Sequence, residues 1–137
     1  MLIEIQPYIK ATTIPVSGSV RGRSIDCDLA RTISITSRCL YHASADDALQ
    51  LSLLFSPDGR NYDTIAYTSH EIAVTQGASV QKTVLIDPPE AGFLIPVATN
   101  LSTNYAISNV TVWVGASKYW EDIQEAMKQY NKRGGKK

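Results

Sequence analysis

The sequence predicts an all-β chain, an antiparallel β-sandwich of jelly-roll or immunoglobulin-like topology closed by one carboxy-terminal α-helix. Three observations predict it. Apolar residues recur with a period of two from about Ile25 to Val114, the pattern of strands with one face on a core and the other on water. Clusters of Gly, Pro, Asn and Asp separate these runs at short intervals, as in sandwiches and barrels. The period then changes once, after Ser117, to the three-and-four spacing of a helix.

Residues 1–23 are the least regular. Pro7, Pro15, Gly18 and Gly22 interrupt them, so an amino-terminal arm or edge strand is expected there. Residues 24–116 form the predicted sandwich, with strands over 24–29, 32–43, 49–56, 62–69, 71–76, 79–87, 93–98 and 104–115. Ile33 and Ile35 alternate with Ser34 and Thr36, and Leu49, Leu51, Leu53 and Phe55 share a side of their run. Val110, Val112 and Val114 alternate with Thr111 and Trp113, which puts the Trp113 ring on the face opposite the valines. A hairpin turning at Ala30–Arg31 would join the first two strands. It would set Cys27 opposite Ser34 and not opposite Cys39, so two free, buried thiols are expected.

A helix over 117–133 follows. Trp120, Ile123, Met127 and Tyr130 form one apolar stripe, Ser117 stands at the N-cap position, and Gly134 ends the helix. Glu121 and Asp122 near its start and Lys132 and Arg133 near its end suit the helix dipole. About four turns are marginal in water alone, so the stripe must be buried, either on the chain's own sandwich or in a groove of another subunit. Residues 134–137 read as a basic, flexible tail.

With 137 residues, 44% hydrophobic and 19% charged, the chain is long and apolar enough for one cored domain and too weakly charged for a disordered polyelectrolyte. No apolar run approaches the ~20 residues of a membrane span. The amino terminus has neither the basic start nor the apolar stretch of a secretory signal, so a cytoplasmic or particle-assembled location is expected. Thirteen bases balance thirteen acids. Five of those bases lie in the last ten residues beside no acid, leaving eight bases against thirteen acids in residues 1–127. Opposite charge at the two ends of one molecule favours association between copies. The same bases could touch phosphates, but no motif reads nucleotide bases, so nucleic acid is not the expected partner.

No catalytic, cofactor-binding or metal-ligating set is intact. His70-Glu71 begins like a zinc-protease motif, but Val74 stands where the second histidine is required. His42 is alone, Cys27 and Cys39 are too far apart for a Cys-x-x-Cys site, and the adjacent carboxylates of Asp46 and Asp47 suit a turn. The expectation is a protein that is not an enzyme and needs no cofactor.

One string stands out. In Phe55-Ser56-Pro57-Asp58-Gly59-Arg60-Asn61-Tyr62-Asp63-Thr64, Pro57 presets a turn, Gly59 supplies positive φ, and Tyr62 returns toward Phe55. The string resembles a strand–turn–strand element of β-sandwich modules in phage and archaeal-virus virion proteins, and also one in galactose-binding-like carbohydrate modules. The wider plan of arm, Ser/Thr-rich sandwich and basic-ended helix resembles small virion accessory proteins, capsid decoration or tail components. That resemblance implies a non-enzymatic assembly protein, a homo-oligomer or part of a larger shell, using Trp120, Ile123, Met127, Tyr130, Lys132 and Arg133 as partner contacts. The alternative is a carbohydrate-binding module holding sugars on Tyr62, Tyr67 and Trp113.

Overall fold

The structure is a computed structural model and describes residues 4–28 and 30–118. Nine strands make two antiparallel sheets: β1 (Glu4–Ile14), β2 (Ser19–Arg21), β3 (Ile25–Asp26), β4 (Ala30–Leu40), β5 (Leu49–Ser56), β6 (Thr68–Ile72), β7 (Ser79–Ile86), β8 (Phe93–Asn100) and β9 (Ile107–Lys118). The first sheet has the order β1-β9-β4-β7. The second has β2-β8-β5-β6, with β3 also paired to β8.

Counting β2 and β3 as one interrupted strand, the pairings nest. β1 pairs β9, β2/β3 pairs β8, β4 pairs β7, and β5 pairs β6. A long hairpin rolled onto itself in this way is the jelly roll, which decides between the two predicted topologies.

The alternation read from sequence explains the core. Ile33, Ile35, Val110, Val112 and Val114 face inward from the first sheet and meet Leu49, Leu51, Leu53, Leu94 and Ala98 of the second. Burying each of the larger side chains contributes about 1.5–3 kcal/mol. At one end Tyr41, 1% exposed, closes the β5–β6 ladder. Its hydroxyl donates to the Ile72 carbonyl and accepts from the Leu49 amide at 2.9 Å.

Several boundaries differ from expectation. In place of strands over 62–69 and 71–76 there is the single β6. Between residues 62 and 67 only the amides of Asp63 and Tyr67 bond back to β5, so that segment stays irregular. The hairpin at Ala30–Arg31 does not form. β3 and β4 lie in opposite sheets, β3 on β8 and β4 between β7 and β9. β9 continues to Lys118, with Ser117 paired to Thr32 and Lys118 to Ala30. Ser117 and Lys118 are therefore strand and not the first residues of the predicted 117–133 helix; the rest of that helix, and the 134–137 tail, lie outside the described residues.

The two edges of the first sheet differ. β1 carries three register shifts, Pro7, and Ala11 at φ 31°, and such bulges discourage pairing with a further strand. β7 is regular, but Lys82 stands opposite Ser37 in the alternation that Val80 and Val84 turn to the core. An inward-pointing charge on an edge strand has the same effect.

Candidate interaction face

The outer face of the first sheet carries three cross-strand rows. Ile5, Gly115, Ser34 and Leu85 form one, Pro7, Trp113, Thr36 and Thr83 the next, and Thr111, Arg38 and Gln81 the third. Each follows from period two, because Val112, Val114, Ile33 and Ile35 take the inward side. Gly115 and Ser34 are small, and the apolar residues at the two ends of their row are far out in solvent, Ile5 at 67% and Leu85 at 70% exposure. Ile5, Thr36, Arg38, Gln81 and Trp113 line an open groove of about 360 Å³.

The chemistry of this groove is mixed. Trp113 offers a half-buried ring, and Arg38 and Gln81 offer donors. The Thr36 and Thr83 hydroxyls are bonded to each other at 2.9 Å. No ion pair among the described residues engages the exposed Arg38, so its guanidinium is available. Further along β9, Ser117 continues the outward alternation but is only 2% exposed, and its hydroxyl has no hydrogen-bond partner.

The three predicted sugar-binding rings do not form one platform. Trp113 is on the outer face of the first sheet. Tyr62 and Tyr67 are in the segment joining β5 to β6 of the second. The Tyr62 hydroxyl shares a 2.5 Å hydrogen bond with Ser24 Oγ, and Tyr67 donates to the Asp87 carbonyl at 2.9 Å. Trp120, Ile123, Met127, Tyr130, Lys132 and Arg133, the predicted partner contacts, lie outside the described residues.

The turn after β5 is held by its own side chains. Asp58 accepts from the Asn61 and Arg60 amides at 2.9 Å each, from Asn61 Nδ2 at 2.8 Å and from Ser56 Oγ at 2.9 Å, bonds that hold its carboxyl well below the usual carboxylate range. Gly59 adopts φ +78° as the turn chemistry requires, beside the Phe93 ring. Four donors of the turn itself claim this carboxylate, so it is a fastening and not a site.

Asp46 accepts from Ser102 Oγ and Asn104 Nδ2 at 2.5 Å each, which lowers its pKa and ties the β4–β5 connection to the β8–β9 one. His42 Nδ1 accepts the Ser44 amide at 2.9 Å, and its ring stacks on Tyr105 at 4.5 Å. His70 is half-buried in β6 with its Nε2 lacking a partner. Burial and then the Lys82 charge hold its pKa down, favouring a neutral ring. Cys27 and Cys39 are buried thiols not joined in a disulfide, and burial pushes the Cys39 thiol up to about 11. Among the described residues no group of three His, Cys, Asp or Glu side chains could hold a metal ion, and no helix is long and apolar enough to cross a membrane.

Sequence reasoning singled out Trp113 but not Ile5, Arg38, Gln81 or Leu85. Their alternation was readable; their neighbours were not, because the row exists only once β1, β9, β4 and β7 are known to be adjacent.

Comparison with known proteins gives the fold a wider setting. No protein-family model and no curated protein sequence matches the chain. Among solved structures it is similar to the VP2 subviral particle of infectious bursal disease virus, with 13% identity and a TM-score of 0.51 over 85% of this chain and 32% of that one. It is also similar to a CBM4 structure, with 8% identity and a TM-score of 0.51 over 82% and 78% of the two chains. A third likeness is to the CBM22-1–GH10 modules of the Clostridium thermocellum xylanase Xyn10B, solved with xylohexaose, at 10% identity and a TM-score of 0.51 over 80% and 25%. This chain thus spans about a third of the length of the viral protein. At these identities the likeness is one of fold.

Proposed function

We propose that this chain is a non-enzymatic building block that acts through protein–protein contact, as an accessory component of a virion shell or tail. The observation that carries this reading is the outer face of the first sheet. Ile5 and Leu85 stand exposed at the ends of a row floored by Gly115 and Ser34, with the Trp113 ring in the next row. Exposed large apolar side chains at both edges of one sheet face, with a tryptophan ring between them, favour a macromolecular partner over solvent. The likeness to a subviral particle protein is compatible with this reading, and the Asp46 and Asp58 carboxylates are spent on fastening loops. Both the assembled particle and the cytoplasm before assembly are locations this role fits.

The test is the native mass of the purified full chain as a function of concentration. Self-association that Leu85→Lys and Ile5→Lys abolish, with the far-ultraviolet spectrum unchanged, is the expected result. A full chain that stays monomeric at every concentration would refute the reading.

A second reading, a carbohydrate-binding module, is favoured by one specific observation. The half-buried Trp113 ring lies beside Arg38, Gln81 and Thr36, a stacking surface flanked by donors, and the fold is shared with CBM4 and CBM22 modules. It now rests on Trp113 alone and not on Tyr62 or Tyr67. Binding on a glycan array, lost in Trp113→Ala, would support it; an array without hits and tryptophan emission unmoved by xylan oligosaccharides would remove it.

A further inference from the structure

We infer that β6 is an acid-released edge strand, held against β5 only while the His70 ring is uncharged. This is independent of the assembly and sugar readings, because it concerns the seam between the two sheets and not the outer face of the first.

β6 and β7 are each the last strand of a sheet, and they lie beside each other along one flank of the sandwich. The alternation of β6 turns His70 into the seam. It stands opposite Leu51, in the series in which Thr68 meets Leu53 and Ile72 meets Leu49. From β7, Lys82 is turned into the same seam opposite Ser37, near enough for its charge to act on the ring.

Nothing described in the seam answers a charged imidazole. His70 Nε2 is buried without a hydrogen-bond partner. The groups that face it are Lys82 from β7, Leu51 and Leu53 from β5, and Ser37 and Cys39 from β4, the last a thiol that burial keeps neutral. No carboxylate is among them, since Glu71 is on the other side of β6, opposite Gln50. A protonated ring donates from both nitrogens, so it would stand half-buried beside a like charge with no counter-ion. Moving its strand into water relieves that cost.

β6 is suited to such movement. It is five residues long and is paired on one side only. Its ends are tied, by the Tyr41 hydroxyl at the Ile72 carbonyl and by the Tyr67 amide at the Leu53 carbonyl, so its middle opens locally and reversibly. Opening bares the edge of β5 beside Leu51, a template on which another strand can pair. Burial and Lys82 make the ring bind its proton less readily in the closed strand than at the ordinary value of 6.5. The closed state is therefore fully favoured above about pH 7 and loses ground as pH falls below about 6.5. One proton raises the open fraction by at most about tenfold per pH unit.

The experiment is native-state amide exchange of the full chain between about pH 7.5 and about pH 5, corrected for the intrinsic effect of pH, with the His70 ring titrated by nuclear magnetic resonance. Asp46 and Asp58 hold their protons too weakly to titrate in that window. Exchange at residues 69–71 should gain up to about tenfold per pH unit below 6.5 while the amides of β4 and β9 hold. His70→Gln should abolish the gain and Lys82→Met should reduce it. His42→Gln should leave it intact, because that ring stacks on Tyr105 instead. A gain that survives His70→Gln, or one spread equally over all strands, would overturn the proposal. So would a ring that takes up its proton near pH 6.5 with the β6 amides unmoved, since the side chain would then be turning into solvent by itself.

Discussion

Replacing Tyr41 by Phe removes one oxygen atom and should cost far more than its size suggests. The hydroxyl is buried at the end of β5 and β6, donating to the Ile72 carbonyl and accepting the Leu49 amide. Leu49 and Ile72 are opposite each other in the last rung of that ladder. Phenylalanine fills nearly the same space, so no cavity opens. Two backbone groups, however, lose their partner in a region where Leu49 and Ile72 are both 0% exposed. Leaving a buried donor or acceptor unmade costs ~1–3 kcal/mol, and partial relaxation puts the pair at roughly 2–4 kcal/mol. For a chain of this length that lowers the melting temperature by roughly 10 °C. Urea denaturation followed by tryptophan fluorescence measures it, with an unchanged slope showing that the unfolded state is not what moved. Tyr62→Phe is the matched control, since its exposed bond to Ser24 should be worth less than about 1 kcal/mol. A Tyr41→Phe chain within about 1 kcal/mol of the parent, with the Leu49 amide still slow to exchange, would refute the reasoning.

Three further outcomes follow from the same geometry. Gly92→Ala should destabilise strongly, because Gly92 holds φ +97° and an added Cβ would lie 2.8 Å from both the Ser56 carbonyl oxygen and the Phe55 ring. Strain of that kind costs ~1–3 kcal/mol before the clash is counted, and a thermal melt reads it. Ser37→Ala should be neutral or stabilising by up to about 1 kcal/mol, since Ser37 is 0% exposed and its hydroxyl has no partner to lose; a clear loss in denaturant would contradict it. Stability should fall as pH rises from about 9 to about 11. Burial raises the Cys39 pKa from 9.0 to about 11, so the fold holds that proton more tightly than the unfolded chain does. Its contribution is complete below pH 9 and gone above 11, about 3 kcal/mol in all, and Cys39→Ala should flatten that part of the profile.

The sandwich was legible because alternation is a local property. Strand 49–56 was read to the residue, and the valines of β9 were assigned to the core, without any knowledge of the partners they meet. What period two cannot supply is pairing. Ile25 and Cys27 alternate convincingly, yet nothing local tells β3 to join Leu94 and Phe93 of β8 and not the strand that follows it. The same gap hid the candidate face. Thr36, Arg38 and Gln81 read as ordinary outward residues of separate strands until β4 lay between β7 and β9. The stretch from 62 to 67 misled for a different reason: its aromatic and apolar residues match a strand pattern, but only the amides of Asp63 and Tyr67 bond back to β5, and the ladder begins at Thr68.

The nested order of strands has a consequence for how the molecule comes into being. β9 is the last of the described strands to be made, and it sits between β1 and β4 in the interior of its sheet. Until it leaves the ribosome, the oldest strand has no ladder to join, and β4 has one open flank. Synthesis therefore carries a half-built intermediate with unprotected edges until β9 emerges, and closure waits on contacts between β1 and β9, far apart in sequence. Such long-range closure is slow and favours collision with other nascent chains. The same arrangement sets residue 4 beside residue 116, so in a chain of residues 4–118 a short peptide joining the end of β9 to the start of β1, with new ends cut in an exposed loop, would turn the final step into a local one and should speed maturation.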